Sequence, residues 1–197
     1  MLMDIIKSRH SIRKYTNKQI KIDDLKLILE AGNFAQNAGG GQRSMMVAIH
    51  DAKLTKKVGM MNMASFDRNG LIGYYVSKEQ PSVIDDPTIK DGFYGAPTVV
   101  AIFAQSNFRF RTADAFCMAE NMILQATELG IASCIISRGE ETFAGEEGQK
   151  LLKEWEVPKN YTCQCFVILG YLDGKEPQSK PRKPGRVKIV GLPGESS

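Results

Sequence analysis

The sequence predicts a mixed helix and strand domain, an α/β or α+β sandwich, on three observations. Helical apolar stripes run over residues 23–35 and 114–129. Short runs rich in Val, Ile and Phe occupy 98–104, 131–136 and 162–170, with the burial signature of inner strands. Strands and helices are interspersed in uneven order, which excludes a pure β-sandwich pattern. The 197 residues show no internal repeat and read as one domain, 1–197, with a polar, Pro-rich, basic arm from about 172 to 197.

Taken in order, Met1 to Arg9 is a short helix with Leu2, Ile5 and Ile6 on one side. Asp23 is a suitable N-cap for a helix reaching about Ala35, with Leu25, Ile28 and Leu29 on one face. Asn37-Ala38-Gly39-Gly40-Gly41-Gln42 then forms a loop, Met45 to Ile49 a strand, and Leu54 to Met61 an amphipathic helix. From Ser65 to Phe93 the pattern weakens around Pro81, Asp85, Asp86 and Pro87, and irregular segments of this length are often lids or binding loops. Thr98 to Ala104 is a buried strand. Asp114 to Leu129 is the strongest helix, apolar at Ala115, Met118, Ala119, Met122, Ile123 and Ala126 and ended by Gly130. Ile131 to Ile136 is a strand, Gln149 to Trp155 a helix stopped by Val157-Pro158, and Thr162 to Gly170 a last strand.

Composition narrows the function. Lys plus Arg is 26 against 22 Asp plus Glu, an excess too small to imply nucleic acid. The longest mainly apolar run, Ala96 to Ala104, is about half of the roughly 20 residues of a membrane helix. Residues 1–11 lack the apolar stretch of a secretory signal, so the expectation is a cytoplasmic protein without a membrane partner. The four cysteines, Cys117, Cys134, Cys163 and Cys165, lie in apolar stretches and form no C-x-x-C pair. Cys163 and Cys165 are two apart on a strand and are expected to share one face as small hydrophobes. His10 and His50 are the only histidines, and no HExxH or other metal cluster exists.

Three segments have the residue types for binding chemistry. In Arg9-His10-Ser11-Ile12-Arg13, two arginines bracket a hydroxyl, which suits a phosphate monoester as well as it suits a solvated basic segment. Asn37 to Gln42 offers glycine backbone that a flat or anionic ligand approaches closely, or else a plain connector. It has neither the GxxxxGK[ST] nor the GxGxxG pattern. Lys180-Pro181-Arg182-Lys183-Pro184 is an extended cationic tail, either closing over an anion or solubilising the chain. No nucleophile, paired catalytic carboxylate or metal set is present, so an enzyme built this way needs a cofactor for its chemistry.

These segments, in this order, resemble the nitroreductase family of FMN-dependent enzymes. Ile5 to Tyr15 is similar to that family's N-terminal signature, and Asp24 to Gln42 to its helix and A-P-S-x-x-N-x-Q-P-W loop. Gly95-Ala96-Pro97, Asp114 to Gly130 and Leu169-Gly170-Tyr171 with Pro181-Arg182-Lys183-Pro184 also match. The resemblance spans nearly the whole chain except Ser65 to Lys90. The family's Pro, Ser and Asn are replaced by Gln36, Asn37 and Gly40, and its Pro-Trp by Arg43-Ser44, which alters the pocket over the flavin face.

The resemblance implies an α+β fold with a central, mostly antiparallel sheet flanked by helices and an extended C-terminal arm. It implies a homodimer with FMN at the subunit interface, NADH or NADPH as reductant, and a small electrophilic acceptor such as a nitroaromatic, quinone or enone. Arg9, His10, Ser11 and Arg13 would meet the FMN phosphate and ribityl group, with Lys180 and Arg182 completing the phosphate site. Gln36, Asn37, Ala38, Gly40 and Gln42 would come from the partner subunit, and the backbone of Ile135, Ile136 and Ser137 would line the ring. Two rival expectations are a flavin-binding storage or sensor protein without efficient turnover, and an anion- or nucleic-acid-binding module built on the basic termini.

Overall fold

The computed structural model describes residues 1–67 and 76–191. Part of the irregular 65–93 segment and the end of the arm, 192–197, lie outside the described residues. Helices α1 (Leu2–Ser8) and α2 (Ile22–Asn33) precede a 3-10 turn at Ala38–Gly40, strand β1 (Ser44–Ile49) and α3 (Ala52–Ala64). Then come β2 (Thr98–Gln105), α4 (Arg111–Glu128), β3 (Ala132–Ile136), α5 (Gly139–Thr142), α6 (Glu146–Glu154) and β4 (Tyr161–Gly170). The four strands form one antiparallel sheet in the order β1-β2-β4-β3, which is the α+β architecture the family resemblance implies.

Burial explains the order. The apolar runs of β2 and β4 are almost entirely buried and take the two central places, while β1, half-buried, sits at an edge. Val100, Ile102, Val167 and Leu169 face α2 and α4, where Ile28, Ala119 and Met122 complete one apolar layer. Val99, Ala101, Phe103, Phe166 and Ile168 face the other way, onto Val58, Phe93 and Phe143. Burying each large apolar side chain contributes about 1.5–3 kcal/mol, so both layers are needed to hold the sheet. Gly32 lets α2 approach α4 closely, since a Cβ there would stand 2.8 Å from Met122 Cγ.

The other edge, β3, is covered by the N-terminal segment. Ile12 N donates to Ser133 O at 2.9 Å, and the chain continues beside the end of β4, where Thr16 N donates to Tyr171 O at 2.9 Å. Tyr15 is buried there and donates its hydroxyl to Ile12 O at 2.7 Å, with burial pushing its ionisation well above the usual range.

Three expectations change. Asp23 is not the cap of α2, which starts at Ile22 and is capped by Lys21, two residues earlier; Asp23 and Asp24 lie in the first turn, where they favour the helix dipole. The short helix α5 has no periodic pattern long enough to announce it. Cys163 and Cys165 do not share a face. The β2–β4 register shifts between Ile102, opposite Cys165, and Phe103, opposite Cys163, leaving Gln164 bulged. One extra residue reverses the alternation, so Cys163 joins the Phe166 layer and Cys165 the Val167 layer. Both thiols are buried, and burial pushes Cys165 up to about 12 and Cys163 higher than a free thiol as well.

Candidate functional site

The basic N-terminal segment and the basic arm meet. α1 ends at Arg9, and the following residues run along β3, so Arg9, His10, Ser11 and Arg13 are all half-buried beside it. The arm returns over them. His10 Nε2 lies 3.0 Å from Ser179 Oγ, and Ser179 Oγ donates to Lys7 O at 3.2 Å. Lys180 Nζ donates to Val76 O at 3.1 Å, and Arg182 lies exposed two residues further along. Of the two readings of the basic ends, the geometry has them side by side.

Among the described residues these cations have no carboxylate partner. The ion pairs among the described residues join Met1 to Asp4, Lys26 to Asp23 and Lys57 to Glu147, and none involves Arg9, Arg13, Lys180 or Arg182. Such a cluster is complementary to an added anion.

Ile135, Ile136 and Ser137 form the end of β3 next to Arg13, and all four border a cavity of about 170 Å³. Gly139 holds this end tight against β4, since a Cβ there would sit 2.5 Å from Cys163 O. Ser137 is exposed at the rim, and its carbonyl accepts from Asn62 Nδ2 at 3.0 Å.

The glycine loop lies elsewhere. Ala38 N donates to both carboxylate oxygens of Asp114, at 3.0 and 3.2 Å, in the first turn of α4. Gln42, at φ +46, is held in a left-handed turn by its N–H to Asn37 Oδ1 at 2.8 Å. Gln36 and Gly40 are exposed, and Gly40, at φ +62, has nothing within 4 Å of where a Cβ would stand. The Arg9 segment, in contrast, borders Thr127 and Gly130 at the far end of α4. The 18 residues of α4 span ~27 Å. Within one chain the structure therefore brings Arg9 to Arg13, Ile135 to Ser137 and Lys180 together and keeps Gln36 to Gln42 apart.

The family model for the nitroreductase family matches residues 6–171. The chain belongs to the nitroreductase family. Among solved structures, this nitroreductase-family chain is similar to a nitroreductase with bound FMN from Bacteroides fragilis. The two are 30% identical, with 96% of this chain and 98% of that chain covered and a TM-score of 0.80. A nitroreductase with bound FMN from Desulfitobacterium hafniense shares the fold at 22% identity, with coverage of 95% and 97% and a TM-score of 0.77. An iodotyrosine deiodinase bound to FMN and 3-iodo-L-tyrosine does so at 19% identity, with coverage of 98% and 100% and a TM-score of 0.71.

Several residues important to this family member's site were not visible in the sequence. Gln80 is buried; its Oε1 accepts from Arg13 N at 2.6 Å and its carbonyl from Arg13 Nη1 at 3.2 Å, fixing the arginine. Asp114 fixes Ala38 as described. Arg138, at φ +63, directs its guanidinium to Asn62 Oδ1 at 2.6 Å and over the Phe66 ring at 4.6 Å. Gln80 sits where periodicity fails, and no pattern could have marked it. A charge placed directly after the buried strand at Arg138 was a signal that sequence reading could have used.

Proposed function

We propose that this nitroreductase-family chain is an FMN-dependent oxidoreductase, one domain with its arm, that acts as a homodimer on small electrophilic acceptors. The observation that carries this reading is the convergence of Arg9, Arg13 and the Lys180 end of the arm, without carboxylate partners among the described residues, beside the exposed end of β3. A phosphate monoester attached to a flat ring fits that donor set: cations and a hydroxyl for the phosphate, strand backbone along the ring. The FMN bound to the Bacteroides fragilis relative supports the same choice.

When bound, FMN would supply the redox chemistry, hydride transfer through N5 between NADH or NADPH and a nitroaromatic, quinone or enone. The chain's residues do the rest. Arg9, His10, Ser11, Lys180 and Arg182 would hold the phosphate and ribityl end, and Arg13, fixed by Gln80, would stand over the ring edge. The main chain of Ile135 to Ser137 would orient the ring and offer an N–H donor near its reacting edge. The apolar strand behind it excludes water.

The separation along α4 supports the homodimer. The loop is tied to Asp114 and the Arg9 segment borders Thr127, about 20 Å away along the helix, so Gln36, Asn37, Ala38, Gly40 and Gln42 would border the same cofactor as Arg9 by coming from a second copy. Among the described residues no helix is long and apolar enough to cross a membrane.

The test is an absorption spectrum of the purified protein, followed by anaerobic NADH or NADPH. Flavin bands that bleach and return on adding a nitroaromatic or quinone support the proposal. Bands that persist favour storage or sensing, and absence of flavin after reconstitution with FMN refutes it.

A further inference from the structure

Arg43 follows the glycine loop directly, at a position where the family resemblance has a proline, and its side chain turns back over that loop. A Cβ on Gly41 would stand 2.5 Å from Arg43 Cζ, so a larger residue there would push the guanidinium off the backbone it lies against. Phe108 packs on the same group, its ring centre 4.8 Å from Cζ. Two main-chain bonds hold the pair in place: Gln105 N donates to Arg43 O at 3.1 Å, and Phe108 N donates to Gln105 O at 3.0 Å. Both side chains are half-buried.

The guanidinium is held by its flat faces, and its N–H fork is left open. Nη1 reaches Ala38 O at 3.5 Å, longer than an ordinary hydrogen bond. Among the described residues no carboxylate pairs with Arg43, and neither Nε nor Nη2 meets an acceptor. Residues 36–43 and 105–113 contain Arg43, Arg109 and Arg111 and no acidic residue. Asp114, the next acid along the chain, is taken by Ala38 N, and Arg109 is turned to Phe110, its Cζ 6.0 Å from that ring centre. A half-buried guanidinium with an open fork suits a planar carboxylate, which it grips through two parallel bonds. One guanidinium balances one carboxylate, whereas a phosphate dianion calls for several cations, as gathered at the Arg9 end. The Phe108 ring beside it suits a flat, conjugated body behind that carboxylate.

We propose that Arg43 determines acceptor specificity: it binds the carboxylate of the acceptor, so that the compounds this protein reduces best are aromatic or conjugated acids. The inference rests on the oxidoreductase reading above, in which the loop Gln36 to Gln42 of one copy borders the flavin held by the other. Arg43 adjoins that loop, and its guanidinium is folded onto Gly41 instead of being held away from it. An acceptor lying on the flavin then meets a fixed cation at its rim. The paired bonds to the guanidinium fix the direction in which the acceptor's nitro group or double bond points. Neutral acceptors enter without that anchor and lie less often in the productive direction. Arg43 exchanges neither hydride nor proton with the acceptor; its part is selection and alignment.

The test compares 4-nitrobenzoate with 4-nitrobenzamide, which differ in charge and barely in shape, as acceptors for the FMN-loaded protein. In the wild type kcat/KM for the acid should exceed that for the amide by roughly tenfold or more, mostly through KM, as for a hydrogen bond to a charged group. Arg43→Gln should abolish the preference, and Arg43→Lys, which keeps the charge without the fork, should recover part of it. Calorimetric titration of the oxidised protein with benzoate, which has no nitro group to reduce, gives a second reading: binding roughly tenfold weaker in Arg43→Gln. No preference in the wild type, or one that survives Arg43→Gln, overturns the proposal. Equal loss on acid and amide also overturns it, since a merely structural hold on the loop would act on both alike. A change confined to the KM of NADH or NADPH overturns it by moving the anion to the reductant. In all of these cases the wild type still reduces the amide. A protein that carries FMN and reduces neither compound refutes the oxidoreductase reading, and the proposal with it.

Discussion

The main-chain N–H of Ala38 reaches both carboxylate oxygens of Asp114, at 3.0 and 3.2 Å, so the glycine loop is moored to the start of α4 by a single buried acid. Removing it in Asp114→Ala leaves a half-buried donor unpaired, at about 1 kcal/mol. In a shared site the same change lowers FMN affinity even though Asp114 and Arg9 lie at opposite ends of α4. Mixing Asp114→Ala with Arg9→Ala subunits should then restore flavin binding that neither variant has alone, read by fluorescence quenching. A mixture no better than its parents would sink the shared-site reading.

The arm should matter through its charge. Arg182→Ala is expected to weaken FMN binding by roughly tenfold, the loss of one charge-assisted hydrogen bond, and truncation after Tyr171 by more. Both are checked by flavin content after dialysis. A truncated protein with full occupancy would show that the arm holds no phosphate.

Gln80 acts on the site only through Arg13. Gln80→Ala removes the acceptor of Arg13 N and should cost about 1–3 kcal/mol of stability, together with weaker FMN binding. Gln80→Glu keeps an acceptor and should recover part of both. Thermal midpoints and FMN titrations on the two variants decide it, and equal losses in both would argue against a positioning role.

Asp85 gives a pH signature. Burial acts to raise its ionisation, but N–H donors from Ser82, Val76 and Ser77 outweigh that and hold it below the usual carboxylate range. A lowered folded value means its contribution is complete above the ordinary Asp value of about 3.9 and lost as pH falls below it. The stability difference between wild type and Asp85→Asn should therefore shrink from about pH 6 to about pH 3. A difference independent of pH would show that charge plays no part in holding this turn.

Much of the fold was legible because it is carried by periodicity. The strands 98–105 and 161–170 and the helix 111–128 bury continuous apolar faces, and those faces are what a sequence displays. The halves of the proposed site lay in motifs, Arg9 to Arg13 and Asn37 to Gln42, whose residue types suit an anion and a close backbone approach. What stayed hidden depends on contacts remote in sequence. Gln80 reaches Arg13 across 67 positions and Asp114 reaches Ala38 across 76, and nothing local to either residue records that pairing. Arg138 and Tyr94 are set by left-handed backbone that the surrounding fold imposes on them.

The bulge at Gln164 has a bearing on how this strand tolerates change. With Gln164 removed, Cys163 would be followed directly by Cys165, and strict alternation would give each the face it already has. β4 thus carries one residue more than its pairing with β2 requires, secured at its side chain by Thr112 Oγ1 at 2.8 Å. A deletion there shortens the strand without turning any later side chain over, whereas a deletion at Phe166 would move Cys163 and Cys165 onto the opposite layers or expel the residues beyond them. Gln164 is the point along β4 where evolution, or a protein engineer, can alter chain length and leave both sides of the sheet intact.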